Sequence, residues 1–150
     1  MQELERQEPI TEQPQPETQS APSRNSERRE LLALLIGVAG WAVPGLGHAL
    51  QKMWGRALAV FLAVGALVTL GAGMRGNLFT SRGDDAFATL GYFADLGSGS
   101  FYALARTFES DGPDVSHSTG DYGTRFLATA GVLNLLAALH AYEAARGRKA

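Results

Sequence analysis

The chain has 150 residues, with 13 Lys+Arg against 15 Asp+Glu, a formal net charge of −2, 45% hydrophobic residues, 18 glycines and no cysteine. That length holds one domain, the missing cysteine excludes a disulfide framework, a zinc ribbon and a thiol nucleophile, and the near-neutral balance argues against a nucleic-acid binder. Mean hydropathy near zero hides a steep segregation, because charge gathers in the first thirty residues and the middle.

Residues 1–30 carry Pro9, Pro14, Pro16 and Pro22 among many Gln and Glu, with little beyond Leu4 and Ile10 to bury. Such a stretch cannot offset the entropy of ordering and reads as a disordered polar tail. Arg24, Arg28 and Arg29 close it just before the apolar sequence. A secretory signal has a short basic start and a short apolar core, so this arrangement fits an uncleaved anchor instead.

Residues 31–150 form the membrane domain. Its first apolar segment, 31–50, holds one ionisable group, His48, and has the length that crosses ~30 Å of hydrocarbon. The second, 57–74, carries no charge. The last, about 125–143, is interrupted by Asn134 and His140. All three are apolar on every side, and a chain this short cannot enclose three such helices in a soluble core. The middle segment, 86–108, is ambiguous: it is rich in Phe, Tyr and Leu but contains Asp95 and the run Gly97-Ser98-Gly99-Ser100. An Asp at a helix centre costs ~3 kcal/mol on insertion. A fourth crossing, two half-helices bent at the glycines, and an interfacial amphipathic segment are the three readings. Counting Lys and Arg favours the crossing, with about eight on the side of the tail and C-terminus against about four opposite. The expectation is an all-α integral membrane bundle of three to four transmembrane or re-entrant helices. The site is the inner (plasma) membrane, with a cytoplasmic tail.

Pro44-Gly45-Leu46-Gly47-His48, followed by Gly55-Arg56-Ala57, is the most patterned stretch. Proline bends or thins a helix and glycine permits close approach or positive φ. Pro44, Gly45, Gly47, His48 and Gly55 are therefore the expected structural hairpin. The alternative is a polar site at a helix break of the kind transporters use. These residues resemble a family of small bacterial multi-pass membrane proteins of unknown function, in which a Pro-Gly-x-Gly-His turn joins the first two transmembrane helices. The chain is also distantly similar to the two-transmembrane-helix domain family. Gly123-Thr124, Phe126, Ala130 to Leu136, Ala141-Tyr142 and Gly147-Arg148-Lys149 resemble the end of the same unknown-function family, so the likeness runs from about Leu31 to Lys149. Leu50 and Lys52 stand where that pattern has Tyr and Gly, and His140 where an acidic residue is usual. The resemblance implies a fold and no activity.

Small residues mark expected helix contacts: Gly55, Ala59 and Ala63 on the second segment, Ala130, Asn134 and Ala138 on the last. Asn134 is expected to point at another helix and hydrogen-bond there. Asp95, with Arg75 or Arg106 as partner, is a candidate polar site, as are His140 and Glu143, three apart on one helical face. His48 could approach these two, but without a His-Glu-x-x-His motif or any Cys no metal site is expected. Ser116, His117 and Asp114 are neighbours in a loop, which does not make a triad. No cofactor motif is present. The reading is a non-enzymatic scaffold or partner subunit, in contact with the lipid bilayer and with a protein partner or a second copy. The alternative is a small transporter or channel component using the Pro44 break, His48 and Asp95.

Overall fold

A computed structural model describes residues 24–79, 81–82, 85–108 and 118–147, and every regular element among them is an α-helix. In order these are α1 (Arg24–Ala42), α2 (Leu46–Leu50), α3 (Trp54–Gly73), α4 (Ala86–Leu96), α5 (Ser100–Phe108) and α6 (Ser118–Ala145). Two of them, α3 and α6, are long and apolar enough to cross a membrane.

The segment 31–50, read as one stretch of membrane-crossing length with a bend at Pro44, is two helices folded back on each other. Helix α1 stops at Ala42, Gly45 takes φ +84°, and α2 turns back. Pro44 cannot donate within a helix, and only glycine reaches that φ without strain. A Cβ on Gly47 would stand 2.8 Å from the Ile36 carbonyl and 3.2 Å from Gly40 Cα, so α2 lies back along α1. A Cβ on Gly45 would collide with the Ala57 carbonyl, which places the first turn of α3 beside the same bend. Helix α1 also begins at Arg24, so residues 24–30, expected to belong to the tail, are helical. The rest of the tail lies outside the described residues.

The middle segment is also broken. Helix α4 ends at Leu96, Gly99 adopts φ +62°, and α5 leaves in a new direction. With 11 and 9 residues, the two helices rise roughly 16 and 14 Å, about half a bilayer core each. Their contacts show the direction. Gly91 and Asp95 pack on Phe79, two residues after Asn77, whose amide N–H donates to Thr124 Oγ1 near the start of α6. Gly97 packs on Gly131 at the middle of α6. On the return, Phe101 meets Phe61 and Ala105 joins Val68 and Leu127 in the core. The pair thus comes in from the end of α6 near Gly123 and goes back to it, so the middle segment is two helices bent at the glycines and not one continuous helix.

Helix α6 is the spine. Its last turn meets the start of α1 through an Arg146–Glu30 ion pair at 2.6 Å, and Gly37 faces Tyr142. Its first half meets the end of α3, where Gly71 and Gly123 approach so closely that a Cβ on either would lie 2.8 Å from the other's carbonyl. Each half of the chain is therefore a helical hairpin followed by a long helix, α1–α2–α3 and then α4–α5–α6, and the two halves run in opposite directions. The buried apolar residues are mostly alanine, with Val64, Val68, Leu78 and Leu127, whereas Leu, Phe, Val and Trp side chains crowd the exposed surface of every helix.

Candidate functional site

The two hairpin tips meet halfway along α6, and Asn134 joins them. Its side chain is fully buried, and Nδ2 donates to the Trp41 carbonyl and the Gly97 carbonyl, both at 2.9 Å. Those carbonyls belong to the last turn of α1 and to the C-cap of α4, where helical partners run out. Trp41 Nε1 donates in turn to the Leu96 carbonyl at 3.2 Å. Gly99 sits against the Trp41 carbonyl, where any side chain would clash. One amide thus ties three elements. Oδ1 of Asn134 is buried with no partner among the described residues.

A second polar cluster lies between α2 and the far half of α6. His48 Nε2 and His140 Nδ1 are 3.0 Å apart. The ring planes differ by 15° and the centroids are 5.3 Å apart. That separation is close to the N···N distance plus the two ring radii, so the rings meet nitrogen to nitrogen, nearly coplanar, with one proton between them. His48 is buried and His140 half-buried. Gln51 Nε2 donates to the Gly47 carbonyl at 3.0 Å and the Ala141 carbonyl at 2.9 Å, which fastens the same joint. Glu143, half-buried, lies three residues beyond His140. No group of three or more His, Cys, Asp or Glu is placed to hold a metal among the described residues. The in-line rings aim their facing nitrogens at each other rather than at a common point.

Asp95 is a third location. It is buried, and its Oδ2 accepts from the Phe79 backbone N–H at 2.8 Å, which pins the segment after α3 against α4. The residues of the transporter alternative therefore bond in different places, His48 to α6 and Asp95 to the segment near residue 79. The two expected small-residue faces also part company. Ala130, Asn134 and Ala138 are buried, whereas Gly55, Ala59 and Ala63 are exposed and nothing lies within 4 Å of a Cβ on Gly55. Helix α3 packs through Ala57, Val64, Val68 and Gly71 instead. The loop holding His117 lies outside the described residues.

Sequence reasoning missed Gln51, Trp41 and Gly131. A signal was present for the tips: Gly45-Leu46-Gly47 and Gly97-Ser98-Gly99 occupy corresponding places in the two halves, as do Trp54-Gly55 and Tyr122-Gly123 at the starts of the long helices.

An all-helical chain with two helices fit to cross a membrane, and a polar knot at mid-length, is the class that fold and site define. By its match over residues 35–150, the chain belongs to a family of unknown function, DUF6677. No curated protein and no solved structure matches it.

Proposed function

We propose that this is a multi-pass membrane protein in which α3 and α6 cross the bilayer while the α1–α2 and α4–α5 hairpins dip in from opposite faces. It works without chemistry of its own, as a scaffold or partner subunit. The observation that carries this reading is the inverted packing: alanine and glycine line the interior, and large apolar side chains face outward on all sides. In water that surface would drive aggregation; in lipid it is the solvated surface, and small residues let helices approach closely. Backbone that is not helical inside a membrane must be covered by protein, and both bends are covered by α6 and by each other. The described interior polar groups Asn134, Asp95, His48 and Gln51 spend their hydrogen bonds on holding the fold.

Two re-entrant hairpins keep the charge distribution as asymmetric as four crossings would. Lys52 and Arg56 return to the side of Arg24, Arg28, Arg29 and Arg146, which with Arg148 and Lys149 makes about eight cations against about four (Arg75, Arg82, Arg106, Arg125). This supports a cytoplasmic face for the tail and C-terminus in the inner membrane. A second reading, a small transporter or channel component, is favoured by one feature: the tips of two inverted hairpins meet at mid-depth around the free Oδ1 of Asn134. Extraction from membranes in mild detergent, followed by cross-linking and mass determination, separates the two. The scaffold reading expects a stoichiometric protein partner or second copy. A monomer that exchanges a small solute across vesicles, in a manner abolished by Asn134→Leu, supports the second.

A further inference from the structure

Between α1 and α6 runs an apolar slot of about 290 Å³, floored by Gly37 and Ala138 and walled by Leu34, Val38, Leu139 and Tyr142. Trp41 closes it at the inner end, its indole N–H held by the Leu96 carbonyl. From Leu34 to Trp41 the helix rises roughly 10 Å, a length that takes part of one extended hydrocarbon chain. The outer end carries two opposite charges side by side. Arg146 lies over the Tyr142 ring, donates to its hydroxyl at 2.9 Å, and pairs with Glu30, whose side chain is 62% exposed. One turn before Leu34, Glu30 stands on the slot's face of α1, with Glu27 a further turn back.

We infer that this slot binds one acyl chain of a phospholipid whose headgroup carries both a phosphate and a primary ammonium. The inference rests on the membrane reading above and adds a defined ligand class to it. The phosphate accepts hydrogen bonds from the Arg146 guanidinium, and the ammonium donates to the Glu30 carboxylate, so the lipid's own dipole inserts along an existing ion pair. A choline headgroup has no N–H to donate. A phosphoglycerol headgroup has no cation and meets Glu30 and Glu27 with like charge. Charge complementarity therefore selects phosphatidylethanolamine over both. Because the pair is open to solvent, the selectivity is modest, about three- to fivefold.

The test is native mass spectrometry of the full chain incubated with equimolar dioleoyl phosphatidylethanolamine, phosphatidylcholine and phosphatidylglycerol. The expected result is a three- to fivefold excess of bound phosphatidylethanolamine over each competitor. Glu30→Gln should erase the advantage over phosphatidylglycerol, and Val38→Trp, which fills the slot, should lower all three adducts together. Leu139→Trp replaces Val38→Trp if the latter does not fold. Equal binding of the three lipids to the wild-type chain, or an ethanolamine preference that survives Glu30→Gln, overturns the inference. Unchanged adducts after the slot is filled overturn it as well. A chain that fails to float with vesicles at all refutes the membrane reading itself, whereas one that floats and binds the lipids equally refutes only the slot.

Discussion

Replacing Asn134 with leucine removes both hydrogen bonds at the meeting of the hairpin tips while keeping the branched heavy-atom skeleton of the side chain. Each lost N–H···O bond is worth ~0.6 kcal/mol by membrane measurements and ~1 kcal/mol by soluble ones, which gives about 1–2 kcal/mol for the pair. The Trp41 and Gly97 carbonyls, at 2.9 Å from Nδ2, are then left without that donor, and a stranded buried acceptor costs ~1–3 kcal/mol more. The total is about 2–5 kcal/mol for Asn134→Leu. Asn134→Asp is worse near neutral pH, since an ionised carboxylate donates nothing to either carbonyl and pays several kcal/mol for burial. On acidification the carboxyl takes up a proton and regains one donor, so the Asp variant should recover partly as pH falls while the Leu variant does not. The assay is thermal unfolding in one detergent, followed by tryptophan fluorescence, with Trp41 reporting directly from the joint. At ~2–4 °C per kcal/mol, Leu should lower the midpoint by roughly 4–20 °C and Asp by more at pH 7.5. An Asp variant as stable as the Leu variant at that pH, or a Leu variant equal to wild type, refutes the account of the junction.

Gly131→Ala should cost at least ~3 kcal/mol or abolish folding, because its Cβ would collide with the Ala94 carbonyl. Gly55→Ala, with nothing near its Cβ, should be neutral or stabilising by up to ~1 kcal/mol; denaturation of both variants in parallel checks the contrast. Lys52 adopts φ 62° at the position where the resembled pattern has glycine, so Lys52→Gly should raise stability by about 0.5–1 kcal/mol, read as a higher melting midpoint. The His48–His140 bond joins α2 to α6, so His140→Phe, which keeps a ring and removes the nitrogen, should lower the melting midpoint through the loss of one hydrogen bond, ~1 kcal/mol; an unchanged midpoint would show that the pair does not couple α2 to α6.

Helices α3 and α6 were legible because each holds a long apolar stretch, although α6 begins at Ser118, in polar sequence that reads as loop. The first hairpin was half legible. Pro44 and Gly45 announce a bend, but a run of twenty apolar residues suits a full crossing as well as a fold-back, and only the approach of Gly47 to Gly40 and Ile36 decides between them. The same holds at Gly97 and Gly99, where composition permits one continuous helix and the chain instead bends, with Gly97 packed on Gly131. Small-residue spacing falls on buried positions in α6 and on exposed ones in α3. In a helix apolar on every side, period alone does not say which side meets protein and which meets the surroundings. His48 and His140 are 92 residues apart, as Trp41 and Asn134 are 93, and no local pattern encodes such meetings.

The most direct measurement uses the chain's lack of cysteine. Single variants Lys52→Cys, Arg82→Cys and Arg106→Cys are exposed in turn to a membrane-impermeant maleimide from each side of oriented vesicles. Positions 82 and 106 should label from one face and position 52 from the other. Labelling of 82 and 106 from opposite faces would mean that the middle segment passes through the bilayer, and the pairing of two inverted hairpins would be wrong.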